Sequence, residues 1–398
     1  MHDVICLSHL RWNFVWQRPQ HLMTRFARDR RVFFVEEPMA IEGEARLDVR
    51  EDPHGVTVVV PRLPTGVVGT ADDWLQAKLL RAFLANRGVE APILWYYTPM
   101  ALAFTRDWPA SAVVYDCMDE LSAFDGAPGQ LPAYERELMS VADVVFTGGQ
   151  SLYEAKRALH PRVFAFPSSV DVPHFRRALR VTSEPADQAS LPRPRLGFYG
   201  VIDERLDVDL LAGAADLRPD WQFVMLGPIV KIDPKRLPRH QNVHYLGAKP
   251  YAQLPEYLGS WDVARLPFAR NDTTRFISPT KTPEYLAGGR PVVSTSIRDV
   301  VHPYQGLGLV RIADEPVAFV EAAEHLMRED ATQRQAAADR LLETMSWDRT
   351  WEAMCDRIRE RAEYRAARAR RTRPTLPTSS ATPDTGALPL WPRWANLS

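Results

Sequence analysis

Between Leu7 and Pro38 the chain has no glycine at all. A short apolar run, Val4 to Leu7, enters this stretch, and a second, Val32 to Val35, leaves it. A nucleotide-binding chain that wraps phosphate in backbone needs a glycine-rich turn at such a junction. That mode is excluded here; the loop carries Trp12, Trp16, Arg18 and His21 instead. Cysteine is also scarce. Three residues, Cys6, Cys117 and Cys355, are odd in number and scattered. They exclude a disulfide framework and fit a reducing compartment. No Cys/His spacing matches a zinc site. Net charge is nearly absent, 49 Lys and Arg against 50 Asp and Glu, so no global field draws the protein to nucleic acid. No apolar run approaches the roughly 20 residues that span a bilayer. The start, MHDVICLSHLRWN, lacks a small-residue cleavage pattern. The expectation is a soluble, cytoplasmic protein. One more absence concerns Gly306-Leu307-Gly308, which enters a strand-like run rather than a helix. It is no dinucleotide fingerprint, and a dehydrogenase is disfavoured.

What is present is strand and helix in alternation. VFFVEEP, TVVVP (57–61), ILWYY (93–97), AVVYD (112–116) and VVFT (144–147) are short, continuously apolar runs. They read as buried parallel strands. Residues 73–86 place Leu75, Leu79, Leu80 and Phe83 at helical spacing. Helical patterns at 132–141 and 151–159 separate the later strands, and 162–167 closes this half. The polar, proline-rich stretch 180–195 is the linker candidate. A second α/β series follows: LGFYG, WQFVMLG, VHYLG, DVARLPF, PVVST and LVRI as strands, with helices between. The expected architecture is α/β, two doubly wound domains facing a cleft. The expected boundaries are 1–179, a linker at 180–195, a second domain at 196–345, a crossover helix at 346–372 and a disordered tail at 373–398. The final helix carries the stripe Trp347, Trp351, Met354, Ile358. The tail is rich in Pro, Thr and Ser.

The most informative segment is FISPTKTPEYLAGGRPVVST, 276–295. Ser278 or Thr280 suits the cap of a helix that includes Glu284 and ends at Gly288–Gly289. Pro279 and Pro283 suit a helix start. A strand follows at once, so the helix opens on the ligand edge of the second sheet. Its free N–H groups suit a diphosphate, and Lys281 adds a full charge there. Glu284, about one turn further in, is placed to accept the two hydroxyls of a ribose. A plain amphipathic helix with solvated Lys and Glu is the competing reading of the same residues.

SPTKTPEYLAGGRPVVST resembles the donor-binding motif of bacterial glycosyltransferases of the group 1 type, which have the two-domain GT-B fold. WNFVWQRPQHL, VYDCMDELSAF, FPSSVDVPHF and GFYGVIDERLDVDLL resemble segments of the branch containing teichuronic-acid and exopolysaccharide glycosyltransferases. The matching segments spread over most of the chain. The family pattern usually has two glutamates separated by seven residues; Glu284 fits the second, and Phe276 stands at the first. The backbone of 276–278, or Asn271 and Asp272, are the expected substitutes. Ser168–Ser169 stand where the family has Asn-Gly.

The resemblance implies sugar transfer from a nucleotide-activated donor, most readily a UDP-sugar and otherwise a GDP- or dTDP-sugar. The acceptor would be lipid-linked or a polysaccharide. No cofactor or metal is expected, since the nucleotide-sugar is a substrate. A leaving diphosphate gains negative charge, so positive groups must meet it. Lys281 and Arg205 are the expected supply, although Arg205 also has Asp203, Glu204 and Asp207 nearby as ordinary partners. Lys249 and Tyr251 would border the base. In the glycine-free loop, Arg18 is expected toward the diphosphate or an acceptor phosphate. Trp12 or Trp16 is expected on a sugar face or lipid, with His21 beside them; core anchoring is the alternative for both tryptophans. Asp119 is the expected acceptor-activating base of an inverting enzyme, with Asp116 beside it in a more structural part. The arginine clusters at 25–31 and from Arg365 onward suggest a peripheral site at the inner face of an anionic membrane. Two other readings stand: a sugar-nucleotide epimerase of the same fold, which needs no aromatic acceptor loop, and a non-catalytic scaffold of a polysaccharide assembly complex.

Overall fold

The computed structural model describes residues 2–372; the tail expected to be disordered, 373–398, lies outside them. The N-terminal sheet has nine strands: β1 (Val4–Ser8), β2 (Val32–Glu36), β3 (Met39–Ile41), β4 (Arg46–Glu51), β5 (Val56–Pro64), β6 (Ile93–Tyr96), β7 (Ala112–Cys117), β8 (Val144–Thr147) and β9 (Val163–Ala165). Their order is β3-β5-β2-β1-β6-β7-β8-β9, with β4 paired to β5. All pairs are parallel except β4–β5. Val4 stands opposite both Val32 and Ile93. Alternate residues feed opposite faces: Val4, Cys6, Phe34 and Trp95 pack into one core, Ile5, Leu7, Phe33 and Leu94 into the other. Both faces are covered, which is why these strands read as unbroken apolar runs.

The second sheet has six parallel strands: β10 (Arg195–Tyr199), β11 (Gln222–Leu226), β12 (Val243–Tyr245), β13 (Val263–Leu266), β14 (Val292–Ser294) and β15 (Val310–Ile312). They run β12-β11-β10-β13-β14-β15, so the order reverses between β10 and β13. The first sheet reverses between β1 and β6. Ligand crevices of such sheets form at these reversal points, beyond the strands' carboxyl ends.

The expected linker and its boundaries are corrected. The stretch 180–195 is not a plain linker. It holds the helix Ala186–Ala189, and buried Gln188 accepts a 2.8 Å hydrogen bond from Trp261 Nε1. Arg195 is already in β10 and pairs with Glu184 at 2.7 Å. Val170, Phe175 and Ala178 belong to the second core, so the chain crosses between halves before Val170. The hairpin-like pair β4–β5 was not anticipated, because Arg46–Glu51 is charged and largely exposed. Two helices, Pro316–Arg328 and Ala331–Leu342, follow the last strand without having been anticipated.

The final helix, Trp347–Thr372, returns to the first half. Trp347, Met354 and Ile358 are buried in the N-terminal core. Trp347 stacks on His21, ring centroids 4.6 Å apart at 11°. The first arginine cluster is not a bare cationic patch: Arg25 and Arg28 pair with Asp348, Arg30 with Asp29, and Arg31 with Asp3. Of the second cluster, Arg365 pairs with Asp143. Among the described residues no helix is long and apolar enough to cross a membrane.

Candidate active site

The loops at the two reversal points face each other. After β1, the glycine-free loop is held by side chains rather than by special backbone. Ser8 Oγ accepts from Leu10 N at 3.0 Å, and Glu36 accepts from Trp12 N at 2.9 Å. Gln20 Nε2 donates to Trp12 O at 2.8 Å, and Gln17 and Gln20 form a reciprocal capping box at the start of the helix Arg18–Phe26. Trp12 is thereby a core residue, 3% exposed, with Nε1 donating to Asp52 at 2.8 Å. Arg18 is 1% exposed and forms an ion pair with fully buried Asp116 at 2.8 Å, with a further bond to Phe166 O. These placements correct the phosphate role expected of Arg18 and give Trp12 its core-anchoring alternative, while Asp116 takes the structural part. Trp12, Arg18 and Asp116 face the interior, because a buried charge is tolerable only when paired. His21 is likewise buried against Trp347; burial first, then Arg25, pushes its pKa well below the ordinary value. Trp16 alone of the expected aromatic pair faces the cleft.

On the opposite side, Gly200 follows β10 and Gly227 follows β11, both in positive-φ backbone (140° and 143°). A Cβ on Gly227 would strike Gly200 O, and one on Gly200 would strike Cε of Lys281. The glycines let the two strand ends close up while the lysine stem passes over them. Lys281 begins the helix Lys281–Ala287; Thr280 occupies the cap position, but its side chain makes no capping bond. That corrects the expected cap. Glu284 is 7% exposed and accepts from Tyr199 Oη at 2.8 Å. Burial, then Arg205, lowers the Lys281 pKa; burial raises that of Glu284.

Arg205, Lys249, Tyr251, Thr280, Lys281 and Glu284 all line one cavity of about 150 Å³, together with Trp16. Tyr251 stacks on His174 (4.2 Å, 8°) and, more loosely, on Trp16 of the other half (5.9 Å, 29°). Lys249 is held by Asp187 at 2.6 Å. Arg205 is gripped by buried Asp203, with contacts of 2.6–3.1 Å, and keeps its place on the cavity wall. Ser278 stands apart from this cavity, against Gly149 of the first half. Asn271 and Asp272 are exposed, and Phe276 packs on the N-terminal core, so none of the three lines it.

Arg205 also lines an adjoining chamber of about 430 Å³, shared by both halves. Asp119 sits in its wall; its carboxylate accepts no hydrogen bond from the described residues. Burial raises its pKa to about 6, against the lowering effect of Arg205. Besides Asp203, the partner of Arg205, the chamber brings in residues that the sequence did not single out: His9, Phe124 and Lys231. Arg205 and Lys231 both stand 5.5 Å from the ring of Phe124, which reaches them from the first half. Burial, then Lys231, lowers His9 to about 4, so it is neutral. Nothing in the local sequence signals these residues, since each is brought in by a strand-end loop from a different part of the chain. A third chamber of about 310 Å³ continues past Glu37, Thr98 and Met100. Its wall carries Glu36, Glu37, Asp72 and Asp73 and no Lys, Arg or His. Among the described residues no group of three or more His, Cys, Asp or Glu side chains is arranged to hold a metal.

Two facing α/β halves, each with its crevice at a reversal point of a parallel sheet, define the GT-B fold. Residues 193–329 match the family described as group 1 glycosyl transferases. It is 24% identical over 292 residues to a Bacillus subtilis (strain 168) protein named as the teichuronic acid biosynthesis glycosyltransferase TuaH. That alignment covers 66% of this chain and 71% of the other. Among solved structures, sucrose-phosphate synthase of Thermosynechococcus elongatus superimposes with a TM-score of 0.67 at 14% identity, over 93% of this chain and all of that one. The Escherichia coli trehalose-6-phosphate protein bound with UDP-2-fluoro glucose gives 0.65 at 10% identity, over 89% and 98%.

Proposed function

We propose that this protein is a glycosyltransferase that moves a sugar from a UDP-sugar to a hydroxyl of a lipid-linked or polysaccharide glycan, in cell-surface polysaccharide biosynthesis. One observation carries the donor reading: Lys281, Arg205 and Glu284, from separate loops, converge on a single cavity at the sheet's reversal point. Lys281 and Arg205 meet the diphosphate, and in this reading they, rather than a metal ion, supply its countercharge. Glu284 takes the ribose, with Tyr199 fixing the carboxylate. Tyr251, Lys249 and Trp16 wall the nucleoside. Asp119 is the base toward the acceptor. The relative's name supports the pathway, and the UDP-sugar analogue bound to the E. coli neighbour supports the donor class. For the acceptor, the cation-free third chamber favours an uncharged, hydroxyl-rich end over a phosphate. A lipid-linked acceptor would bring the enzyme to the inner membrane face; with the first arginine cluster internally paired, co-sedimentation with anionic vesicles tests that location.

The deciding experiment is a thermal-shift screen of UDP-, GDP- and dTDP-sugars, because a ligand of the folded state raises the melting temperature. UDP-sugars should give the largest rise. A panel in which no nucleotide-sugar shifts the melting temperature overturns the donor reading.

A further inference from the structure

The halves also meet outside the cavities. Gly149 precedes the helix Gln150–Lys156 in extended backbone (φ −165°, ψ 170°), which any residue adopts. That helix has no capping side chain of its own. The N–H of Ser151 donates instead to Asp299 Oδ1 of the other half, at 3.1 Å, with both residues buried. Next to it, Arg298 pairs with Glu154 of the same helix. A Cβ on Gly149 would run into Asp299 Oδ2 and stand 2.7 Å from the Cβ of Ser278. Ser278 opens the loop that leads to Thr280 and Lys281. Two residues earlier, Phe276 packs against the N-terminal core. Thr273 Oγ1 donates to Ala123 O across the same seam at 3.1 Å.

We infer that Gly149 and Asp299 are positioning residues for glycosyl transfer: they clasp the donor loop to the acceptor-side half and set Lys281 against Asp119. Glycine is required at 149 by the opposite half, not by its own backbone, since the φ is ordinary. Asp299 supplies the cap that an N-terminal helix of the first half lacks. The contact therefore exists only when the halves are closed. Its loss leaves the donor side chains intact on their own sheet but lets the acceptor base drift from them. The consequence for transfer rests on the donor-site reading above.

Gly149→Ala tests this in the full chain, with Asp299→Ala and Asp299→Asn as companions. UDP is the binding probe, read by calorimetry, and closure is read by small-angle scattering with UDP present. Turnover is read as UDP release from the UDP-sugar that raises the melting temperature most, the glycosyl group passing to water where no glycan hydroxyl is supplied. Gly149→Ala and Asp299→Ala should keep UDP affinity within about twofold, enlarge the radius of gyration, and lower kcat at least tenfold. Asp299→Asn keeps an acceptor oxygen and should retain most of the turnover. Should Gly149→Ala fail to fold, Asp299→Ala decides by the same readouts. Unchanged kcat and scattering overturn the clasp. So does a parallel loss of kcat and UDP affinity without expansion, which marks local damage. If wild type binds no UDP, the donor-site reading has failed, while the scattering of variants against wild type still reports the clasp.

Discussion

Lys281 and Glu284 share one wall of a buried cavity, and burial pulls both toward their neutral forms. For the lysine, burial and then Arg205 bring the pKa down to about 8. Only its charged form attracts a diphosphate. UDP affinity should therefore fall as pH rises through about 8, and binding at pH 8 should take up protons. Calorimetry in buffers of different ionisation enthalpy reads that uptake directly; a buffer-independent enthalpy removes Lys281 from the diphosphate. Lys281→Ala should cost about 1.5–3 kcal/mol of UDP affinity, the worth of a hydrogen bond to a charged group. Glu284→Gln makes a different prediction. It keeps the shape but weakens acceptance from the ribose hydroxyls. It should therefore weaken UDP more than a 2′,3′-dideoxy analogue, and equal losses would rule the ribose contact out.

At the scale of elements, apolar runs made the central strands legible, since a strand covered on both faces has no polar alternation. The exposed strand β4 and the adjoining chamber's His9, Phe124 and Lys231 were not legible, because neither depends on a local pattern. The helix at Glu284 was legible from proline and glycine punctuation, but the cap was not: Thr280 reaches the right position without using its hydroxyl. The tryptophan and arginine of the first loop misled for a simple reason. A dense polar and aromatic loop looks the same in sequence whether it faces a ligand or, like Trp12 and Arg18, a carboxylate of its own half 40 or 98 residues away. The final helix was read correctly in its apolar stripe, and its docking carries a prediction. Truncation after Thr344 removes Trp347, Met354 and Ile358 from the N-terminal core, leaves His21 without its stacking partner, and strips Asp348 from Arg25 and Arg28. Loss of several large buried side chains costs a few kcal/mol each. The truncated chain should melt well below the full one in a calorimetric scan; equal melting temperatures would show that the helix does not dock.

Across the whole molecule, the two titrating groups that face the reaction belong to different halves. Asp119, on the first, is pushed up to about 6 chiefly by burial; Lys281, on the second, is brought down to about 8. A base must be ionised to take the acceptor proton, and the lysine must be charged to hold the donor. kcat/KM for the donor should thus fall on both sides, on the acid side as Glu284 (raised to about 7) and then Asp119 take up protons, and on the basic side above about pH 8. In kcat at saturating donor only the acid limb should remain, because a bound diphosphate holds the lysine charged. Asp119→Asn should lower kcat by about 10²–10⁴-fold, abolish its acid limb and leave UDP affinity nearly intact, since the donor cavity lies on the other half. Stability supplies an independent check on the sign. A carboxyl whose folded-state pKa is raised favours the fold fully below its unfolded value near 4. That contribution is lost as pH rises through about 6. At pH 8 the ionised Asp119 is therefore a burden on the folded state, and Asp119→Asn should melt at or above the wild-type temperature. A variant that is stable and turns over normally, with the acid limb of kcat still present, takes Asp119 out of the chemistry and leaves acceptor activation to a mechanism without a protein base.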